Sequence, residues 1–285
     1  MTRILVADDD RTTRLLISEL LRAAKFTVVT ASDGAEALKK LKQDKFDLAL
    51  LDIWMPKKNG IEVLAAMRKG KPRAKVIVMT SDDTPETLLG AIREQAYKYI
   101  GKPIDPPALI AMVKESLQKK TKSLPIEVVS ARPEWIELLV PCSLETAERI
   151  EGFMAHLKAG LSEEARAAVG QAFHELLLNA VEWGGKLNAH RKVRISCLRA
   201  KRMILYRIAD PGPGFKLADL SHAAIAQSPE EPTKHEEIRE KKGLRPGGFG
   251  LVLVQANVDE LLYNEAQNEV VFVKYLDAEA TEPKI

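Results

Sequence analysis

ILVADDD, residues 4–10, is a short apolar run that ends in three consecutive carboxylates. Four further apolar runs, at 27–29, 48–51, 76–79 and 97–100, read as strands. Amphipathic stretches with helical spacing lie between and after them, at 12–24, 35–41, 60–68, 85–95 and 106–117. Strand–helix alternation of this kind predicts an α/β unit, a doubly wound five-stranded parallel sheet covered on both faces. In such a sheet the functional crevice lies outside the carboxyl ends of the strands. The polar residues follow that rule. Asp8, Asp9 and Asp10 come after the first strand, Asp52 after the third, Thr80 after the fourth and Lys102 after the fifth.

Crowded carboxylates raise one another's pKa unless a cation joins them. Hard oxygen ligands beside a phosphoryl substrate suit Mg²⁺. A lysine supplies a compact cation for phosphate oxygens, and a small hydroxyl donates to another. Asp10 reads instead as the cap of the helix after it. With Met55-Pro56 and Gly60 spaced after Asp52, this half resembles the receiver domain of two-component response regulators, whose fold is flavodoxin-like. The resemblance covers its whole length. It implies that Asp52 accepts a phosphoryl group from a sensor histidine kinase or phosphotransfer protein. It also implies that Asp8, Asp9, Asp52 and the backbone carbonyl of Trp54 hold Mg²⁺, and that Thr80 and Lys102 engage the phosphoryl group. Tyr99 occupies the family's aromatic switch position; by residue chemistry alone it is a half-buried strand aromatic. Ala96, Tyr97 and Lys98 replace the small and acidic pair usual before that aromatic.

Beyond the polar, proline-ended stretch 119–125 the order of elements changes. A strand at 135–140 precedes helices near 143–158 and 162–181, then two consecutive strands at 193–198 and 203–209. A polar segment, 216–243, leads to helical spacing at 250–258 and a closing strand at 270–275. Helices grouped apart from adjacent strands predict a two-layer α+β sandwich with its helices on one sheet face. The expected division is 1–119, a linker at 120–125, and 126–285.

Three stretches of this second half carry chemistry. HELLLNAVEWGG (174–185) places Glu175 and Asn179 on one helix face, four residues apart. An asparagine carbonyl is a good Mg²⁺ ligand, and a glutamate can polarise a hydroxyl. IADPGPGF (208–215) puts Asp210 at a strand end, where it can accept an exocyclic amine, while Gly212 and Gly214 let backbone approach a ligand. RPGGFGLVLV (245–254) sets Gly247, Gly248 and Gly250 at the mouth of an apolar helix, and helix N-termini favour phosphate. Singly each stretch is weak; a solvated helix face or a glycine turn explains it.

In this order they resemble the Bergerat ATP-binding fold of histidine kinases, gyrase-type ATPases and anti-sigma-factor serine kinases, and most closely the compact anti-sigma kinases. The resemblance implies that Asn179 holds Mg²⁺, Asp210 reads adenine and the glycines contact the phosphates of ATP. Glu175 would be the general base for a protein serine or threonine. Implied partners are an anti-sigma-factor antagonist or a sigma factor, and a homodimer is common in that family. Trp183 stands where such kinases commonly have histidine, and the lid at 216–245 is long. The alternative is an ATP-binding interaction module that transfers nothing.

Bulk properties narrow the classes. The 285 residues suffice for two cores, and 46% hydrophobic with 29% charged residues is ordinary globular composition. A formal net charge of +3 does not argue for nucleic acid, and no helix-turn-helix or basic recognition stretch follows the receiver-like half. Cys142 and Cys197 lack metal-type spacing, which fits a reducing cytoplasm. A strand-like run at the N-terminus leaves no room for a signal peptide, and no apolar run reaches spanning length. The expected location is cytoplasmic. A histidine kinase would need a helical hairpin between residues 117 and 135, where there is no space for one.

Overall fold

The structure, a computed structural model, describes residues 2–70, 74–81, 84–118, 124–132, 134–157, 161–215 and 249–276. The chain divides into two compact units, Met1–Ser123 and Leu124–Ile285.

In the first unit β1 (Arg3–Ala7), β2 (Thr27–Ala31), β3 (Leu48–Asp52), β4 (Lys75–Thr80) and β5 (Lys98–Gly101) pair in parallel, in the order β2-β1-β3-β4-β5. Helices α1 (Arg11–Ala23), α2 (Gly34–Gln43), α3 (Gly60–Lys69), α4 (Pro85–Arg93) and α5 (Pro106–Gln118) connect and follow them. Ile4, Val6, Leu48, Leu50, Ile77 and Met79 bury one sheet face against Ile17 and Leu21 of α1 and Leu109 and Val113 of α5. Strand side chains alternate, so Leu5, Ala49, Leu51 and Val78 fill the other face, where α2, α3 and α4 pack beside one another. The chain reverses its direction of winding between β1 and β3, and there the strand ends open a crevice.

Caps at the strand–helix junctions decide which polar groups remain for chemistry. Asp10, Asp33 and Asn59 accept from backbone N–H groups three residues on, at 2.7, 2.8 and 2.8 Å. Glu62 returns a 2.8 Å bond to the Asn59 N–H, completing a capping box. Each such cap contributes about 1 kcal/mol. Asp10 is thus occupied by its helix, as its position suggested, while Asp8 and Asp9 are not.

The second unit is a six-stranded antiparallel sheet: β6 (Glu127–Ala131), β7 (Trp135–Pro141), β8 (Lys192–Ala200), β9 (Met203–Ala209), β10 (Glu260–Tyr263) and β11 (Glu269–Tyr275), in the order β10-β11-β9-β8-β7-β6. Helices α6 (Leu144–His156) and α7 (Glu163–Asn179) cover one face. Phe153, Phe173 and Leu177 of the helices and Ile136, Leu138, Ile195, Tyr206 and Phe272 of the sheet are all buried. Tyr206 lies between two rings, 5.1 Å from the centroid of Phe173 and 5.1 Å from that of Phe272. Each fully buried aromatic of this kind contributes about 1.5–3 kcal/mol. Helix α8 (Gly250–Asn257) packs along α7.

Three features differ from the expected pattern. Strand β6 precedes the expected opening strand, β10 precedes the expected closing one, and α7 runs into a π-helical turn, Ala180–Gly184. Both extra strands are sheet edges. An edge has one partner and one open side, so its apolar alternation is weak. The pairing of β6 also shifts register between Val128 and Ser130, leaving Val129 half exposed. The π turn satisfies its backbone locally, with Gly185 N donating to Ala180 O at 2.8 Å. No helix of the described residues is long and apolar enough to cross a membrane.

Candidate functional site

Each unit holds one constellation. In the first, the strand ends bring Asp8, Asp9, Asp52, Thr80 and Lys102 together. The Lys102 ammonium lies 2.9 Å from Asp8 Oδ2 and 3.0 Å from Asp52 Oδ2. Asp8 and Asp52 are buried and Asp9 is exposed. Lys102 is placed by its backbone N–H, which donates to the Thr80 carbonyl at 2.8 Å, and it precedes a cis peptide to Pro103. Burial raises the Asp52 pKa above the usual carboxylate value; Lys102 opposes that shift and Asp8 adds to it. Burial also works against the Lys102 ammonium, but Asp8 and Asp52 outweigh it and its pKa stands above the ordinary lysine value.

Ligand oxygens of Asp8, Asp9 and Asp52 lie within 4.8 Å of one another. Three hard oxygen donors in that space fit Mg²⁺. Trp54 follows two residues after Asp52, and its backbone N–H supports the Asp52 carboxylate while its side chain is exposed. Tyr99 sits on β5 opposite Val78 and is buried rather than half-buried. One contributor escaped sequence reasoning. The Arg14 guanidinium donates to the carbonyls of Asp8 (2.5 Å) and Asp9 (3.3 Å), holding the turn that presents both acids. Its only signal in the sequence is helical distance from them.

In the second unit Glu175 and Asn179 occupy the last turn of α7, half-buried, with Leu176 and Leu177 buried beside them. Gly250, at the start of α8, packs on Glu175; a Cβ there would stand 2.4 Å from Glu175 Oε2. The far end of α8 meets the previous turn of α7, through Asn257 Nδ2 and Gln171 Oε1 at 3.3 Å. Helix α8 is therefore antiparallel to α7, and its N-terminus lies beside Glu175. A helix N-terminus carries partial positive charge suited to phosphate.

Asp210 ends β9. Its Oδ1 accepts from Gly212 N at 2.6 Å, and burial raises its pKa above the usual carboxylate value while Gly212 and Arg191 oppose the shift. Gly184, the last residue of the π turn, packs directly on it, since a Cβ there would lie 2.2 Å from Asp210 Cγ. Gly185 packs likewise on Cys142, whose thiol burial pushes up to about 11. The turn after Asn179 thus carries the chain onto the aspartate turn, so the first two sequence stretches form one pocket wall. Arg191 donates to the Pro211 carbonyl behind the turn. Gly184 and Gly185 lie within the 174–185 stretch but have no role assignable from sequence, and Arg191 carries no local signal. Gly212 packs on Asp210 and Gly184, and Gly214 on the Ala266 carbonyl, so the absent side chains let the turn close tightly around Asp210. Gly247, Gly248, the lid at 216–245 and linker residues 119–123 lie outside the described residues.

Comparison with known proteins finds a family match in each unit. The family model for the response regulator receiver domain matches residues 4–114, and that for the histidine kinase-like ATPase domain matches residues 141–274. The chain is 37% identical over 119 residues to the transcriptional regulatory protein CpxR of Escherichia coli K12, covering 42% of this chain and 50% of CpxR. It therefore spans about half the length of that relative. It is 30% identical over 202 residues to the DNA-binding response regulator MtrA of Mycolicibacterium paratuberculosis, covering 70% of this chain and 88% of MtrA. Among solved structures it is similar to a response regulator receiver domain protein from Methanospirillum hungatei, at 32% identity and a TM-score of 0.41, covering 42% of this chain and 95% of that one.

Proposed function

Because this chain belongs to the response regulators, with a histidine kinase-like ATPase domain as its second unit, we propose that phosphorylation of Asp52 controls an ATP-dependent protein serine/threonine kinase. On this reading Asp8, Asp9, Asp52 and the Trp54 carbonyl hold Mg²⁺ in the receiver, and Thr80 and Lys102 bind the phosphoryl oxygens. The donor is a sensor histidine kinase or a phosphotransfer protein. The functional division is 1–119, 120–125 and 126–285, and the protein works in the cytoplasm. CpxR and MtrA are named for transcription and DNA binding, but residues 141–274 match an ATPase domain instead. A DNA-binding output is not carried over.

In the output unit Asn179 holds Mg²⁺, and Asp210 accepts the exocyclic amine of adenine through Oδ2, since Oδ1 is engaged by Gly212. Gly212, Gly214, Gly247, Gly248 and Gly250 let backbone meet the nucleotide. Bound Mg²⁺·ATP supplies an activated γ-phosphoryl group; the chain's own residues position it and neutralise its charge. Glu175 takes the proton of the attacking serine or threonine hydroxyl. The observation that carries this assignment is the contact of Glu175 with Gly250, which sets a carboxylate beside the helix end suited to phosphate. The protein substrate is an anti-sigma-factor antagonist, with a sigma factor as a further partner, and the ATP-binding units pair as a homodimer.

The test is incubation of the full chain with labelled ATP and candidate antagonist domains, with and without acetyl phosphate. Phosphoserine or phosphothreonine that disappears in Glu175→Gln, with MgATP binding retained, supports the kinase; Asn179→Ala loses MgATP. A second reading, an ATP-binding adaptor switched by the receiver, draws on the exposed Trp183 beside Gly184. Tight ATP binding with no transfer in either receiver state selects it.

A further inference from the structure

The turn that carries Asp210 is gripped from outside by the tip of another hairpin. Between β10 and β11, residues 264–268 run alongside residues 210–215 and touch them at successive points. The Asp210 N–H donates to the Asn268 carbonyl at 2.8 Å. The Asn268 side chain then donates through Nδ2 to the Gly212 carbonyl at 3.0 Å. At Gly214 (φ 85°) the two backbones come so close that a Cβ would lie 1.6 Å from the Ala266 carbonyl oxygen. The Phe215 ring meets the edge of Tyr263, centroids 5.8 Å apart.

The Asn268 carboxamide is itself fixed. Its Oδ1 accepts from Asn264 Nδ2 at 2.8 Å. Asn264 Oδ1 accepts from the backbone N–H groups of Asn268 and Glu269, both at 3.1 Å. Neither amide is therefore free to turn over, and the Nδ2 group that reaches Gly212 is the donor that the network dictates. Gly212 is the residue whose N–H engages Asp210 Oδ1. Hydrogen bonds from Asn264 through Asn268 reach the Gly212 carbonyl, and the N–H of the same glycine, in the preceding peptide, engages the carboxylate.

We infer that Asn268, oriented by Asn264, is the positioning residue that sets nucleotide base discrimination: it holds the carbonyl of the same glycine whose N–H engages Asp210 Oδ1, limiting rotation about Gly212 and so fixing the free Asp210 oxygen. The inference rests on the ATP-binding reading of this pocket. One aspartate oxygen distinguishes an amine from a carbonyl only if its direction is fixed. With the Asn268 bond lost, Gly212 can turn and its N–H loosens on Oδ1; the carboxylate can then rotate away from an opposing carbonyl, so its selectivity falls along with its affinity.

The experiment titrates the full chain with MgATP and MgGTP by calorimetry, for the unmutated protein and for Asn268→Ala, Asn264→Ala and Lys274→Ala. Lys274 pairs with Asp259 on the same hairpin, away from the turn, and is the control. Loss of one part-buried hydrogen bond corresponds to about a fivefold to tenfold effect. The expected result is ATP weakened by about that factor in Asn268→Ala, the ATP/GTP ratio reduced by about the same factor, and a smaller change of the same kind in Asn264→Ala. Thermal melting recorded on each variant separates a general loosening, which lowers affinity for both nucleotides equally. An equal loss, or an unchanged ratio in both asparagine variants, overturns the inference and leaves the ATP reading standing. If Asn268→Ala fails to fold, Asn264→Ala decides. Absence of MgATP binding by the unmutated chain removes the ATP reading and the inference with it.

Discussion

Lys102→Met removes the ammonium that stands 2.9 Å from Asp8 and 3.0 Å from Asp52, two carboxylates with side chains 0% and 6% exposed. At an effective dielectric of about 20, a contact of about 3 Å carries roughly 5.5 kcal/mol of Coulomb energy. Desolvation of all three groups offsets part of this, and breaking a buried pair from one side costs about 3–5 kcal/mol. The expected loss is about 3 kcal/mol at pH 7. It is read by hydrogen exchange of the β3 amides in the full chain, which reports on this unit alone. The pH dependence follows from the two shifts. Asp52 has a raised folded pKa, so its ionised form costs stability as pH rises from the ordinary value of 3.8 through the folded one. Lys102 also has a raised folded pKa, so its contribution is present below 10.5 and is lost as pH rises through the folded value. Below pH 3.8 Asp52 is protonated in both states, and its share of the difference between variant and unmutated protein disappears. Adding Mg²⁺ at pH 7 restores part of the lost protection in the variant, because a second cation replaces the first. A loss under about 1 kcal/mol at pH 7, or an equal loss at pH 3, would refute the view that Lys102 neutralises this pair.

Gly184→Ala drives a Cβ to 2.2 Å from Asp210 Cγ, an overpacking that costs about 1–3 kcal/mol; MgATP affinity should fall at least about tenfold while acetyl phosphate labelling of Asp52 is unchanged. Calorimetry showing full affinity in that variant contradicts the pocket wall described above. Gly250→Ala meets the movable end of Glu175 at 2.4 Å, so the carboxylate is displaced without disrupting the helix. Phosphotransfer is expected to drop about tenfold beyond any loss of MgATP affinity, and a drop no larger than the affinity loss counts against Glu175 as the base. The raised pKa of Asp210 means that its acceptor form is lost as pH falls through a point above 3.8. The ratio of ATP affinities between the unmutated chain and Asp210→Asn should decline from that point, and a ratio that bends only at or below 3.8 contradicts the assignment.

The parallel unit was largely legible because its strands are buried on both faces and its functional groups sit at their ends. ILVA and LALL are uninterrupted apolar runs, and each is followed at once by an acid. Arg14 was not legible, since its contribution is a long side chain folding back onto two carbonyls. In the antiparallel unit β7, β8 and β9 alternate clearly, whereas edge strands β6 and β10 face a partner on one side only. The pairing of Gly184 with Asp210 and of Gly250 with Glu175 depends on how distant segments meet. Sequence marks such glycines as unusual but does not say what lies against them. Asn268 is the extreme case: an asparagine in a hairpin turn is ordinary turn chemistry, and only the register of β11 against β9 brings it to Gly212.

The central claim is that one chain joins a phospho-acceptor to an ATP-handling unit that it controls. Its most direct test is MgATP binding and phosphotransfer by the full chain before and after treatment with acetyl phosphate, with Asp52→Asn in parallel. The expected result is MgATP binding whose Kd or transfer rate changes by about fivefold or more on phosphorylation, the lower end of ordinary coupling between sites, with no change in Asp52→Asn. Identical affinity and rate in both receiver states, or a change that persists in Asp52→Asn, would contradict it.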